Sequence, residues 1–147
     1  MDFSTATFFY LKLHGSSNWY TSDKRTMVIG RSKRAQIAGH PLLEKYFDAF
    51  QTVLMGKDRK LLRVGYGFCD EHVNAAIRDG IQAGLQLYIL SPESPDELRR
   101  RLGQQTETSD VIWRGLAGYF QADLKTLFPM DQSETEEWKM LQRSFFA

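Results

Sequence analysis

Between Lys60 and Leu90 the apolar pattern changes period twice, and that succession limits the fold more than any other feature of the chain. Lys60 to Tyr66 reads as a buried strand. Val73, Ala76, Ile77 and Ile81 then recur at helical spacing, from a start near Asp70 to a stop at Gly84. Leu85 to Leu90 returns to an unbroken apolar run. A strand, a helix and a strand over such a length form a crossover unit with parallel strands and a right-handed connection. The expected class is therefore α/β.

The flanking segments extend this pattern. Phe8 to Leu13 reads as a strand ending at His14-Gly15, and Met27 to Gly30 as a short second one. Lys24 to Arg34 is a basic loop. Leu43, Tyr46, Phe47, Phe50, Val53 and Leu54 mark a helix from about Pro41 to Met55, stopped by Gly56. After the breaker Ser91-Pro92, a capping box of Ser94 and Glu97 with Pro95 in the first turn opens a helix to about Gly103. Thr106 to Asp110 reads as polar linker, and Val111 to Phe128 as a helix closed by Pro129. Ser133 with Glu136 suggests a second capping box before a last helix over about 133–146. No internal domain boundary is expected in residues 1–147.

Composition narrows the function classes. The 147 residues are 42% hydrophobic, enough for one ordinary core. The single cysteine, Cys69, excludes an internal disulfide framework and a zinc ribbon. His14, His40 and His72 lack the close spacing of a metal motif, so no metal is expected. No apolar run approaches the ~20 residues needed to span a bilayer, and no signal-peptide pattern follows Met1. A cytoplasmic chain with no membrane partner is the expectation. Residues 1–63 carry eleven Lys/Arg against five Asp/Glu, and residues 64–147 carry eight against thirteen. Two solvated faces explain this asymmetry. Charge alone leaves nucleic acid open, but it is not the expected partner.

Two glycine-bearing segments invite chemistry. His14 ends the first apolar run, so backbone would hold it while its ring projects to the strand end, and its titration range suits proton transfer. A strand-end histidine bonded to a nearby carbonyl explains the same residues. Gly65 to Asp70 joins a strand to a helix start, where glycines permit close approach of a ligand and the helix end is electropositive. A tight turn explains it equally, and the third glycine of a dinucleotide fingerprint is missing. Asp70 and Glu71 complement the helix dipole but would repel a pyrophosphate directly above them. Hence Asp70 is expected to accept hydroxyls of a ligand (ribose hydroxyls, on the resemblance given below) or brace the loop, or else simply to cap the helix. Ser91, at the next strand end, points at the same crevice. His72 suits a structural hydrogen bond, and Cys69 a small space-filler.

Both segments resemble sirtuin-like proteins. Leu13-His14-Gly15-Ser16 is similar to the Leu-His-Gly-Ser of sirtuins, and Lys12 to Trp19 resembles the longer motif of bacterial sirtuin-like proteins, many of them antiphage NAD-degrading effectors. Gly65, Tyr66, Phe68, Asp70, His72 and Asn74 match the Gly-Tyr-x-Phe-x-Asp-x-His-Ile-Asn of that family, with Val73 for the isoleucine. The resemblance implies a Rossmann-like, partly parallel sheet flanked by helices. It implies NAD as substrate, cleaved to nicotinamide and ADP-ribose, with His14 as the catalytic base. Gly15, Ser16, Gly65, Tyr66, Gly67, Phe68, Asp70 and Ser91 would line the NAD site. The basic loop stands where deacylases carry a zinc module, which counts against a peptide deacylase.

The family's carboxyl-terminal half accounts for the resemblance, over about residues 8–128. No Gly-Ala-Gly phosphate loop or Asn-x-Asp segment occurs, and Asn18 and Asn74 are the only asparagines. The expectation is a single partial, incomplete domain, inactive alone, whose partners are NAD, a missing amino-terminal half or adjacent domain, and through its exposed strand edges a second copy. Alternatives are a non-catalytic nucleotide-binding or regulatory module and an NAD-dependent protein deacylase.

Overall fold

The expected crossover is present. The computed structural model describes residues 10–20, 25–28, 33–103, 106–131 and 133–146. It divides into two compact units, Met1–Val53 and Leu54–Ala147. In the second, β3 (Lys60–Val64), β4 (Gln86–Ser91) and β5 (Leu116–Gln121) form a parallel sheet in the order β3-β4-β5. Helix α3 (Glu71–Gln82) connects β3 to β4, and α4 (Pro95–Leu102) and α5 (Thr106–Arg114) connect β4 to β5. Arg63 pairs with Ile89, and Ile89 with Tyr119, so these three stand in one row across the sheet.

Strand alternation gives the sheet two faces. On one, Leu62, Tyr88, Leu90 and Phe120 pack with Leu127 of α6 (Leu124–Leu127), with Trp138 and Leu141 of α7 (Glu136–Leu141), and with Phe145 of the π-helical turn Gln142–Phe146. Phe145 meets Tyr88 edge-on, with ring centroids 5.4 Å apart. Leu87 and Ile89 turn to the other face and are fully buried. Val73 and Ile77 of α3, Leu98 of α4 and Ile112 of α5 are buried as well. Each such side chain contributes about 1.5–3 kcal/mol on burial.

The first unit holds a two-stranded antiparallel sheet, β1 (Gly15–Tyr20) with β2 (Arg25–Met27), followed by α1 (Lys33–Ile37) and α2 (Pro41–Leu54). Helix α2 matches its expected span, and Leu43, Phe47, Ala49 and Leu54 are its buried residues.

Several expectations are corrected. Of the strand expected over Phe8 to Leu13, residues 8 and 9 lie outside the described residues. The remainder leads into a turn in which the Gly15 N–H donates to the Lys12 carbonyl at 3.0 Å. The strand begins where it was expected to end, because pairing with β2 outweighs the poor strand propensity of Ser16-Ser17-Asn18. The second strand lies earlier than Met27 to Gly30; Ile29 and Gly30 are outside the described residues, as are Lys24 and Arg31 of the basic loop. Lys33 and Arg34 belong to α1. Strand β3 stops at Val64 and is only half-buried, as suits a sheet edge.

The largest correction is in the tail. Thr106 to Asp110 is helix, and the expected helix from Val111 to Phe128 is the end of α5, then β5, then α6. Leu116, Tyr119 and Phe120 mimic helical spacing, but the open edge of β4 recruits them into a strand. Gly118 permits it: a Cβ there would stand 2.7 Å from Tyr88 Cδ1. The cap of α7 is Thr135, which accepts from the Trp138 N–H at 3.2 Å. Ser133 instead donates its hydroxyl to Asp131 at 2.8 Å.

Candidate functional site

Because β3, β4 and β5 are parallel, their carboxyl ends share one edge, where ligands of such sheets bind. Gly65, Tyr66, Gly67, Phe68 and Asp70 leave β3 at that edge, and Ser91 is the last residue of β4. Gly65 has φ 69° and Phe68 φ 56°, so the chain turns sharply twice before Asp70, the N-cap of α3. Phe68 is completely buried, backbone as well as ring, and forms the floor of the loop.

Three consecutive carbonyls of this loop are held by side chains. Tyr66 O accepts from Arg63 Nε. Gly67 O accepts from Arg101 Nη1 at 2.7 Å and from the Cys69 thiol at 3.5 Å. Phe68 O accepts from Asn74 Nδ2 at 2.8 Å. The other half of the Asn74 amide accepts from the Tyr66 hydroxyl at 2.9 Å, and that hydroxyl accepts from the Asp70 N–H at 3.3 Å. Burial pushes the Tyr66 phenol above its ordinary range, so it is a neutral donor at any physiological pH. The Asp70 carboxylate makes no side-chain cap bond to α3, which weakens the reading of Asp70 as a plain cap.

The loop is tied to the next strand end. Arg101 grips Glu93 with both arms of its fork, Nε to Oε1 at 3.1 Å and Nη2 to Oε2 at 2.8 Å. Tyr119 donates to the Glu93 carbonyl at 2.7 Å and is hydrogen-bonded to Ser91. Arg63 reaches the Leu90 carbonyl at 3.5 Å and lies over the Phe68 ring, 5.3 Å from its centroid. Burial, then the nearby Arg101 charge, lowers the Arg63 pKa; the hydrogen bond from Arg101 lowers that of Glu93. A cavity of about 410 Å³ beside this network is lined by Glu93, Glu97, Arg100 and Arg101.

In the first unit, the Lys12 ammonium donates to Ser16 Oγ at 3.1 Å and lies over the rings of Tyr10 and Trp19. Ser16 donates onward to Asn18 Oδ1 at 2.7 Å. Gly15, at φ 73°, lets the chain turn from His14 into β1. His14 is half-buried in that turn, with its carbonyl accepting from the Val28 N–H at 2.9 Å. His14, Gly15 and Ser16 thus stand on one turn, while the other six expected site residues stand on the edge of the parallel sheet.

Arg63, Asn74, Glu93, Arg101 and Tyr119 were not anticipated as site residues. Arg63 had a signal: a charge inside the apolar run Leu61-Leu62-Arg63-Val64 must be paired if buried, and it is. Arg101 had none, being one of three successive arginines. Among the described residues no group of His, Cys, Asp and Glu could hold a metal ion, and no helix is long and apolar enough to cross a membrane.

No curated protein and no solved structure matches the chain at a significant level. A family model described as SIR2-like domain matches residues 3–112, more than half of the chain. That span contains both glycine turns and the whole β3-α3-β4 crossover, and on this match the chain belongs to the SIR2-like domain family.

Proposed function

We propose that this chain supplies one side of an NAD site, and that the intact domain hydrolyses NAD to nicotinamide and ADP-ribose. The observation that carries this reading is the Gly65–Asp70 loop, locked by three side chains at the carboxyl edge of a parallel sheet in a SIR2-like chain. Two features of the loop support a dinucleotide. The carbonyls of Tyr66, Gly67 and Phe68 are each occupied by a side-chain donor, which reduces their opposition to phosphate charge. Asp70 suits ribose hydroxyls better than phosphates. The dinucleotide supplies a glycosidic bond whose cleavage releases nicotinamide and leaves C1′ to be taken by water oxygen. His14 accepts the proton that this water gives up. The biological setting proposed on family grounds is antiphage defence by NAD depletion, in a cytoplasmic protein.

A second reading, nucleotide binding without turnover, draws on the asparagines. Both arms of the Asn74 amide are committed to the loop, and Asn18 accepts from Ser16. A water-positioning asparagine would then have to come from other residues of the domain.

The test incubates NAD with the chain, alone and together with a SIR2-like amino-terminal half, and follows nicotinamide release. Hydrolysis predicts release that needs only NAD and water and falls roughly 10²-fold or more in His14→Ala. NAD binding without release, or turnover untouched by His14→Ala, favours the binding module. Release only with an acylated peptide would mean a deacylase.

A further inference from the structure

We propose that Arg101, acting with Arg63, is a positioning residue for the Gly65–Asp70 loop, setting its shape for a nucleotide from outside the family motif; this rests on the NAD-site reading above. In a trans peptide the N–H lies anti to the preceding C=O. A side chain that captures a carbonyl therefore also fixes the direction of the next N–H. Arg63 on Tyr66 O, Arg101 on Gly67 O and Asn74 on Phe68 O set the Gly67, Phe68 and Cys69 N–H groups in turn. Two of the three grips come from guanidinium groups, whose charge-assisted bonds are the stronger kind.

The two arginines differ in what they contribute. Arg63 sits in the strand that leads into the loop, is buried, and bonds a carbonyl three residues away. It belongs to the loop's foundation. Arg101 comes from α4, is half exposed, and bonds a carbonyl 34 positions away in the chain. Its planar fork is held in place by Glu93, whose backbone carbonyl is in turn held by Tyr119 of β5. The loop after β3 is thus braced by the loop after β4 and by a strand that begins beyond the family match. Glycines make the Gly65–Gly67 backbone adaptable; the brace selects one conformation of it.

The experiment uses the full chain as wild type, Arg101→Met, Arg101→Lys and Glu93→Gln. Amide hydrogen exchange is read at residues 66–70 and across β4, and NAD affinity is read by calorimetry with a SIR2-like amino-terminal half present. Arg101→Met should speed exchange at 66–70 about tenfold and leave β4 unchanged, as expected for loss of a charge-assisted bond. NAD affinity should fall by a similar factor. Arg101→Lys, which keeps a donor for Gly67 O, should recover part of both. Glu93→Gln, which keeps Arg101 but loosens its fork, should move exchange in the same direction by less. Unmoved exchange in Arg101→Met, or faster exchange with NAD affinity intact, would overturn the proposal. If exchange responds as expected but wild type takes up no NAD even with the amino-terminal half present, the brace stands and the NAD-site reading fails.

Discussion

The two glycine turns of this chain are built on opposite plans. The turn at His14-Gly15 takes its side-chain contacts from its own neighbourhood, Lys12, Ser16, Asn18 and the Tyr10 and Trp19 rings lying within ten positions of one another, with one backbone bond from Val28. The turn at Gly65–Asp70 is held partly by its neighbours, Tyr66 and Asn74, and partly by Arg101 from another helix. The local plan uses exposed and half-exposed groups, whose interactions water weakens. The distributed plan adds to the half-exposed Arg101–Glu93 pair the buried Asn74 amide and the buried Arg63 guanidinium, which are costly to leave without partners. A shape that must persist without help from its immediate sequence needs the second plan.

The largest expected effect tests this directly. Asn74→Ala removes both bonds of a buried amide and leaves Phe68 O and the Tyr66 hydroxyl in need of partners. Roughly 2–4 kcal/mol should be lost from the chain's urea unfolding free energy. A loss below about 0.5 kcal/mol would show that the loop re-forms its contacts locally, and the contrast between the turns would disappear.

Lys12→Met should cost less, about 0.5–1 kcal/mol, because its ring contacts and its bond to Ser16 are only part-buried. Thermal melts followed by tryptophan fluorescence would report it. A cost equal to that of Asn74→Ala would mean that the first turn is no weaker than the second.

The smallest effect is in acid. The Glu93 pKa is lowered, first by the hydrogen bond from Arg101, then by its charge and that of Arg63, while Glu97 opposes. A lowered carboxyl pKa adds stability above the unfolded value and loses it as pH falls through the folded one. The stability gap between wild type and Glu93→Gln should therefore be small at neutral pH and close below the ordinary carboxylate range. Unfolding curves across that range check it; a gap that widens in acid would contradict the pairing.

Much of the fold could be read before any coordinates. Ser94, Glu97 and Pro95 specify the start of α4 among themselves, and both halves of that capping box are formed. The β3-α3-β4 crossover likewise follows from its own periodicity. The motif residues of both turns were recognisable as sirtuin-like, and the SIR2-like match agrees.

What the sequence by itself determined is local: caps, helical stripes, the glycines that allow a turn, and the side chains bonded a few positions apart. Only the tertiary structure decided that Leu116–Gln121 is a strand, since a third parallel strand exists only where β4 offers an edge and Gly118 makes room beside Tyr88. Thr106 to Asp110, polar enough to pass for a linker, is helical because α5 packs on α3 and α4. Which of Arg99, Arg100 and Arg101 would brace the Gly65–Asp70 loop was equally undetermined along the chain. Caps and periodicities are energies between near neighbours, whereas strand pairing and a long-range guanidinium bond depend on which distant groups the fold brings within reach.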